Sequence, residues 1–208
     1  MRLVAISDTH SRHDEVHVPD GDVLVHAGDL TRNGTLEEFR DFRRWLIDLP
    51  HEQKIIIPGN HDFCLENPDR RERILSEYPG VHLLVDEAVQ VDGTLFWGAP
   101  WQPKFFEWAF NRERGSALRE KWDLIPEEVD VLVTHGPPKG FGDRVAQGDR
   151  VGCAELSKRL KQVRPDLHVF GHIHEGYGRY EFDGIRLVNA SVCDVRGTPR
   201  NGPLVLDR

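Results

Sequence analysis

Cysteine is scarce in this chain. Three of its 208 residues are cysteines, and no two of them have the CxxC spacing of structural zinc sites. A small, odd number of scattered cysteines excludes a disulfide framework, and the missing CxxC pairs exclude a zinc site built on cysteine. We therefore expect Cys64, Cys153 and Cys193 to be small buried residues in a reducing cytoplasm.

Long hydrophobic runs are also missing. No uninterrupted apolar segment reaches the length of about 18 residues that a transmembrane helix needs. The opening segment, MRLVAISDTH, has an apolar run that is too short for a signal peptide and that soon meets Asp8. The sequence thus predicts neither a membrane span nor a secretion signal, in keeping with a cytoplasmic location.

Positive charge is the third deficit. The chain has 27 Lys and Arg residues against 35 Asp and Glu residues, which gives a formal net charge of −8. Such a surface repels polyanions at long range, so we expect neither polymeric nucleic acid nor an anionic membrane as a partner. An anionic small molecule would need strong local positive charge, and metal ions are one source of it.

Apolar residues, in contrast, are plentiful enough for a packed core. They make up 38% of the sequence, and 208 residues suit one domain. No linker, charge block or low-complexity segment divides the chain. We therefore expect a single domain over residues 1–208.

Five short apolar runs have the composition of strands that are buried on both faces. Helical patterns lie between them: one begins with a capping box at Thr35 and Glu38, one runs from Pro68 to Pro79-Gly80, and one is GCAELSKRLKQVRP. Asp-Gly pairs in AVQVDGTLFWGA and GRYEFDGIRLVNAS predict tight hairpins. The expected fold class is α/β with mixed sheets. The five runs are RLVAISDTH, DVLVHAGD, KIIIPGNHD, VDVLVTHGPP and LHVFGHIH.

Asp, Asn and His residues follow all five of these strands. Ligand sites of open α/β sheets lie beyond the carboxyl ends of the strands, so we expect these side chains to meet. Carboxylate and imidazole together favour Mn, Fe, Zn, Co or Ni over a calcium site made only of oxygen atoms. The set is too large for one catalytic ion with open positions, whereas two ions that share a carboxylate fit it. The candidates are Asp8, His10, Asp29, Asn60, His61, His135, His172 and His174.

The blocks DTH, GDL, GNHD, THGPP and GHIH occur in this order along the chain. They resemble the signature blocks of the calcineurin-like metallophosphoesterase superfamily, and the similarity covers roughly residues 3–193. GAPWQP at 98–103 and RVGCAEL at 150–156 further resemble the metallophosphoesterase-domain-containing subgroup. The resemblance implies a four-layer αββα sandwich in which two mixed β-sheets are flanked by helices.

The resemblance also implies a role for each candidate. Asp29 would bridge two divalent or trivalent transition-metal ions, of which we expect Mn to support activity best. His61 would face the substrate as a general acid without binding metal. The position of Asp62 directly after His61, rather than the resemblance, makes it a candidate to orient His61, with a simple turn residue as the alternative. The first ion would be held by Asp8, His10 and His174, and the second by Asn60, His135 and His172.

Two such ions can clamp a phosphate and provide a bridging hydroxide for in-line attack on phosphorus, while His61 protonates the leaving oxygen. The subgroup resemblance implies that the substrates are small phosphodiesters, including 2′,3′-cyclic and 3′,5′-cyclic nucleotides. A phosphomonoesterase would use the same centre. A non-catalytic scaffold of the same fold is the alternative from another class, and the complete ligand set with His61 disfavours it. The oligomeric state stays open.

The substrate pocket is predicted from weaker signals. Asn33, Arg144 and Arg150 are candidates for contacts with phosphate or ribose, although an exposed arginine is more often a solvated surface residue. The segment FWGAPWQPKFFEWAF contains an aromatic cluster. Such a cluster could stack a nucleobase, but more often it is part of the core.

Overall fold

The computed structural model describes residues 1–75 and 80–207. In this part of the chain the helices are α1 (Leu36–Asp48), α2 (Pro68–Leu75), α3 (Ser116–Trp122) and α4 (Ala154–Val163). The strands are β1 (Arg2–Ile6), β2 (Val23–His26), β3 (Gln53–Ile56), β4 (Val81–Leu83), β5 (Glu87–Val91), β6 (Thr94–Ala99), β7 (Gln102–Pro103), β8 (Asn111–Arg112), β9 (Val131–Thr134), β10 (Leu167–Phe170), β11 (Gly178–Phe182), β12 (Ile185–Asn189) and β13 (Leu204–Asp207).

The strands form two large mixed sheets. The first sheet has the order β13-β1-β2-β3-β4, with β13 antiparallel to β1 and the other pairs parallel. The second has the order β11-β12-β10-β9-β6-β5, with parallel pairs in the centre and an antiparallel pair at each edge. All five strands predicted from apolar runs lie in the parallel parts, where both faces of a strand are buried.

The two antiparallel edge pairs are the hairpins predicted from Asp-Gly. Asp92 and Gly93 have φ values of 48° and 78°, and Asp183 and Gly184 have φ values of 52° and 84°. Two consecutive residues with positive φ form the type I′ turn, whose twist matches that of the flanking strands. These turns fix the register of β5 with β6 and of β11 with β12.

Alternation along the strands divides the apolar side chains between two cores. Leu3 and Ala5 of β1 pack with Val131 and Val133 of β9 in the core between the sheets. Their neighbours in the sequence point to the outer faces, which the helices cover. The helical side of this outer packing includes Phe39, Phe42 and Leu46 of α1 and Leu156, Leu160 and Val163 of α4. The layers are therefore helix, sheet, sheet and helix, which confirms the predicted αββα sandwich.

The two sheets meet at the carboxyl ends of their parallel strands. Ser7, directly after β1, and Ser191, shortly after β12, form an isolated parallel bridge between the sheets. The N–H of Val192 donates to the carbonyl oxygen of Ser7 at 2.9 Å. The loops that follow β1, β2, β3, β9 and β10 are thereby brought to one common edge.

The starts of two helices were predicted correctly from local sequence signals. α1 begins directly after Thr35, and α2 begins at Pro68, both as predicted. The predicted end of α2 at Pro79 lies outside the described residues. Three elements were not predicted from the sequence: α3, which follows Gly115 and has no side-chain cap, β4, and the short pair β7–β8.

The burial predicted for the three cysteines is confirmed. Cys64, Cys153 and Cys193 are buried free thiols. Across residues 1–75 and 80–207, every helix is too short or too polar to cross a bilayer.

The contribution of the capping box of α1 to stability can be tested by substitution. Oγ1 of Thr35 accepts from the N–H of Glu38 at 3.2 Å, and the Glu38 carboxylate accepts from the N–H of Thr35 at 3.1 Å. Thr35→Ala should lower the free energy of unfolding by about 1 kcal/mol, because an N–H of the first turn loses its acceptor. Thr35→Ser retains the hydroxyl and is the control in urea denaturation. An equal loss in both variants would contradict the capping role.

Candidate metal centre

Four of the candidate ligands have a left-handed backbone. Asp8, His10, Asp29 and His172 have φ values of 57°, 45°, 55° and 68°. Residues other than glycine rarely adopt this conformation, although Asp and His tolerate it better than most, and each instance costs about 1–3 kcal/mol. The strain lies where the chain leaves β1, β2 and β10, at the edge where the candidate donors meet.

Two glycines allow the loops to approach the carboxylates. A Cβ on Gly59 would lie 2.3 Å from Oδ1 of Asp29, and a Cβ on Gly171 would lie 2.2 Å from Oδ2 of Asp8. Both distances are far below van der Waals contact, so a larger residue would displace a carboxylate. The first residue of the blocks GNHD and GHIH must therefore be glycine, so that the loops can approach Asp29 and Asp8 closely.

The first group of donors consists of Asp8, His10 and His174, whose ligand atoms lie within 4.8 Å of one another. Nε2 of His174 is 3.3 Å from Nε2 of His10 and 3.4 Å from Oδ1 of Asp8. Asp8 and His10 follow β1 in the first sheet, whereas His174 follows β10 in the second. This group is therefore assembled from both sheets.

The second group consists of Asp29, His135 and His172, again with ligand atoms within 4.8 Å of one another. Oδ1 of Asn60 joins it, at 2.8 Å from Nε2 of His135 and 2.8 Å from Nδ1 of His172. Asp29 and Asn60 come from the first sheet, and the two histidines come from the second. The amide oxygen of Asn60 thus completes a set of four donors.

Asp29 lies between the two groups. Its Oδ1 is 3.4 Å from Nε2 of His135 in the second group, and its Oδ2 is 3.7 Å from Nε2 of His10 in the first. One carboxylate therefore faces both groups, in the position predicted for a bridging ligand.

The donor atoms of the second group fit a cation. Nδ1 of His135 donates to the carbonyl oxygen of Ala27 at 2.9 Å. When it gives up its second proton to a cation, the His135 ring presents a lone pair at Nε2, toward the oxygens of Asn60 and Asp29. Such converging lone pairs need a positive charge among them. Imidazole, carboxylate and amide oxygen are ligands that suit first-row transition metals.

Residues around the donors hold them in place. Oγ of Ser191 donates to Oδ2 of Asp8 at 2.6 Å, and Nδ1 of His174 donates to the carbonyl oxygen of Asp194 at 2.8 Å. Such outer contacts orient ligands in metal sites. Ser191 was not predicted from the sequence. It follows β12, which was recognised only as half of a hairpin, and the same strand-end rule applied there would have found it.

The electrostatics of the centre favour positive charge on some rings and exclude it from others. Burial lowers the pKa of His135, but the Asp29 carboxylate outweighs burial and raises this pKa to about 9. His174 behaves alike, because Asp8 raises its pKa to about 9 against the effect of burial. Burial, followed by repulsion from the His135 ring, lowers the pKa of His172 to about 3 and outweighs the attraction of Asp29 and Asp8.

Both carboxylates stay ionised. Burial alone would raise their pKa values, but the neighbouring histidines outweigh it and hold the pKa of Asp8 and of Asp29 well below the usual range. The centre therefore holds two buried negative charges at neutral pH.

His61 is held beside the two groups. Its Nδ1 donates to the carbonyl oxygen of Arg32 at 2.7 Å, and its N–H donates to Oδ1 of Asp29 at 2.8 Å. The ring stacks on Trp108, with 4.3 Å between ring centroids, and meets the ring of His10 at 4.6 Å. Its Nε2 is free of these bonds. The stacking on Trp108 carries no signal in the sequence, because 47 positions separate the two residues.

Asp62 ties two loops together. Its buried carboxylate accepts hydrogen bonds from the N–H groups of Gly59, Leu30 and Thr31 and from Oγ1 of Thr31, at 2.7 to 3.1 Å. The imidazole of His61 is held by Arg32 instead, so Asp62 affects its neighbour through the backbone. Burial, followed by the nearby Asp29 charge, raises the pKa of Asp62 to about 6.

The polar residues predicted to contact substrate have partners within the protein. Nδ2 of Asn33 donates to Glu38 at 2.9 Å, and Nε of Arg144 donates to the carbonyl oxygen of Gly148 at 3.3 Å. Arg150 donates to Oδ1 of the buried Asp143 at 2.8 Å. The structure therefore gives these three side chains partners close by in the sequence, and none of them lines the two cavities described below.

The aromatic cluster divides into core and surface residues. Trp97 and Trp101 are buried, and Trp101 lies between the cationic groups of Arg112 and Lys121. Phe105, in contrast, is 61% exposed. Part of the cluster is thus ordinary core, and Phe105 is left available to a ligand.

Among residues 1–75 and 80–207, two cavities beside the centre are lined by separate sets of residues. The larger has a volume of about 590 Å³ and lies between His172 and apolar side chains that include Phe105, Val145 and Val151. The smaller has a volume of about 260 Å³ and is lined by His10, Arg12, Arg32, His61, His174, Arg196 and Gly197.

Comparison with known proteins connects this site to a family. Metallophosphoesterase domain-containing protein 1 of Homo sapiens is 46% identical over 229 residues, which cover 99% of this chain and 70% of the human protein. The probable glycerophosphodiester phosphodiesterase GpdQ of Arcobacter nitrofigilis is 27% identical over 168 residues, which cover 75% of this chain and 58% of that protein.

Solved structures share the fold. TT1561 of Thermus thermophilus superposes with a TM-score of 0.62 at 15% identity, over 90% of this chain and 88% of that one. The sequence model of the calcineurin-like phosphoesterases matches residues 1–176, which include all the candidate ligands. The chain therefore belongs to the calcineurin-like phosphoesterase family of metal-dependent phosphoester hydrolases.

Proposed function

We propose that this protein is a two-metal phosphodiesterase that hydrolyses small phosphodiesters, cyclic nucleotides among them. The proposal is carried by the two donor groups that face a single carboxylate, Asp29, with His61 next to them. Ligand atoms of His10, Asp29 and His61 lie within 4.8 Å of one another, so His61 reaches the space that both groups border. The dimetal centre of the family supports this assignment.

In this proposal each donor group would hold one transition-metal ion, and Asp29 would be a ligand of both. The first set is Asp8, His10 and His174, and the second is Asn60, His135 and His172. The ions would supply Lewis acidity toward the phosphoryl oxygens and a nucleophile at neutral pH. Mn, Fe, Zn, Co and Ni suit these ligands, and we expect Mn to support activity.

His61 is proposed to protonate the leaving oxygen. The Nδ1–H bond to the carbonyl oxygen of Arg32 fixes the ring, so Nε2 is the atom that can carry the transferred proton. Trp108 packs on one face of the ring and limits its rotation. Positioned acids of this kind contribute about 10²–10⁴-fold to rate.

The larger cavity favours a diester over a monoester. A phosphodiester keeps one organic group on phosphorus after the leaving group departs, and that group needs space beside the centre. The cavity of about 590 Å³ next to His172 offers this space, with Phe105 available for contact with a base or another flat group. The similarity to the probable glycerophosphodiester phosphodiesterase supports the same choice.

The proposal is tested by turnover. Protein stripped of metal and refilled with Mn²⁺ should hydrolyse 2′,3′-cyclic AMP or 3′,5′-cyclic AMP and leave AMP intact, since AMP lacks the second ester. Product formation is followed by chromatography, with metal-free protein as the control. Preference for AMP would identify a phosphomonoesterase. If protein with two bound ions converts none of the three, the cyclic-nucleotide assignment is wrong.

His61→Ala should keep its metal but lose about 10²–10⁴-fold in kcat on esters with poor leaving groups. The loss should be much smaller on 4-nitrophenyl esters, because nitrophenolate departs without a proton. Steady-state kinetics on both ester types, with metal content measured on the same samples, checks this. His17→Ala, which removes an exposed histidine, is the control. Equal losses on both ester types would exclude His61 as the acid.

Asp29→Ala should reduce bound metal to less than two equivalents, because both donor groups lose the carboxylate that they face. Metal is measured by elemental analysis after dialysis. Asp20→Ala removes an exposed carboxylate and controls for the change in charge. An Asp29 variant that retains two equivalents would contradict the bridging role.

A further inference from the structure

The smaller cavity is lined by three arginines, of which one is engaged by a carboxylate. Arg12 is bound to the carboxylate of Glu15 at 2.6 and 2.7 Å. Among the described residues, the side chains of Arg32 and Arg196 make neither a hydrogen bond nor an ion pair. In a chain with a net charge of −8, two such cations lining one small cavity are a local excess of positive charge.

The loop that carries Arg196 is firmly held. Nη1 of Arg12 donates to the carbonyl oxygen of Gly197 at 2.7 Å, and Oδ1 of Asp194 accepts from the N–H groups of Arg196 and Thr198 at 2.9 and 3.1 Å. The other carboxylate oxygen of Asp194 pairs with Arg200, at 3.1 Å. The Asp194 carboxylate therefore holds the loop by its backbone N–H groups. It forms no ion pair with the guanidinium of Arg196, which stays available to the cavity.

This loop is also joined to the centre. The carbonyl oxygen of Asp194 accepts from Nδ1 of His174, one of the proposed metal ligands. On the opposite wall, the carbonyl oxygen of Arg32 accepts from Nδ1 of His61. The backbones that carry Arg32 and Arg196 are thus the same backbones that orient His61 and His174.

We propose that Arg32 and Arg196 form a subsite for a second anionic group on the leaving alcohol of the substrate. The proposal rests on the proposed function, in which His61 protonates the leaving oxygen. His61 and both arginines line the same cavity, so the departing alcohol enters it as the P–O bond breaks. Two guanidinium groups there suit a carboxylate or a phosphate.

The sizes of the two cavities assign the two halves of the substrate. About 260 Å³ is room for a compact charged group, whereas about 590 Å³ beside His172 accommodates the larger organic group that stays on phosphorus. Among the acyclic diesters of the proposed class, the favoured substrates are therefore those whose leaving alcohol is small and carries a carboxylate or phosphate.

Two chromogenic diesters test this subsite. They are methyl 4-nitrophenyl phosphate and its 3-carboxy-4-nitrophenyl counterpart, which differ by one carboxylate on the leaving group. The measured quantity is the ratio of kcat/KM for the carboxylated ester to that for the plain ester, with Mn²⁺-loaded protein. Comparison within each variant cancels any effect common to both esters.

Arg32→Ala and Arg196→Ala should each lower this ratio by about tenfold, the size of one charge-assisted hydrogen bond. Arg40→Ala removes an exposed arginine of α1 outside the cavity and should leave the ratio unchanged, which separates a local contact from the net charge of the protein. An unchanged ratio in both cavity variants overturns the subsite. An equal fall in the Arg40 variant also overturns it.

A binding measurement decides the question without turnover. Monomethyl benzylphosphonate and its 3-carboxybenzyl counterpart replace the scissile oxygen by carbon, and calorimetry gives their affinities for the Mn²⁺-loaded protein. We expect tighter binding of the carboxylated analogue by wild type, and loss of that advantage in the Arg32 and Arg196 variants. If wild type hydrolyses neither ester, the proposed function fails, and equal affinity for the two analogues then overturns the subsite separately.

Discussion

The structure of the site depends on two carboxylates that are buried and ionised. Asp8 and Asp29 are 0% and 2% exposed, and a buried charge is very costly unless it is paired and hydrogen-bonded. The surroundings compensate this cost. Histidines face both carboxylates, Ser191 and backbone N–H groups donate to them, and the raised pKa values of His135 and His174 record the same attraction. The need for positive charge at this position makes the edge of the sheets a site for cations.

The backbone is strained by this arrangement, and the hydrogen bonds around the site maintain it. Left-handed conformations at Asp8, His10 and Asp29 would relax if the loops were free to move. At Asp29 the Asp62 carboxylate prevents this, because it receives four hydrogen bonds from the loops after β2 and β3. Asp62, although it is next to His61 in the sequence, thus serves mainly to fix the conformation of these two loops.

The parts of this site that were predictable are those fixed by local pattern. Buried strands are marked by Val, Ile and Leu, and parallel strands bring their carboxyl ends to one edge, so donors such as Asp29 and His172 could be placed together by their positions in the chain. The resemblance to known blocks then divided them into two sets. Asp-Gly turns and the Thr35 cap were predictable for the same local reason.

The parts that were not predictable depend on how loops pack. Arg150 was a reasonable candidate for substrate contact, but the fold uses it to satisfy the buried Asp143. Arg32 was not a candidate, because nothing in its neighbourhood distinguishes it from any surface arginine. The role proposed for it depends on residues far away in the chain, among them Arg196, that share its cavity. Helix α3 lacks a capping side chain, so its start carries no signal in the sequence.

Each donor group draws its ligands from both sheets, and this has a consequence for the stability of the whole molecule. An ion bound by Asp8 and His174, or by Asn60 and His135, would be a cross-link between two layers, in addition to their apolar packing, the bridge of Ser7 with Ser191 and hydrogen bonds such as that from His135 to Ala27. Because such a site exists only when both layers are in place, metal binding and folding are thermodynamically linked. At a free concentration about 1,000 times the Kd, one ion would add about 4 kcal/mol to the folded state. The cations proposed to serve catalysis would then also stabilise the packing of one sheet on the other.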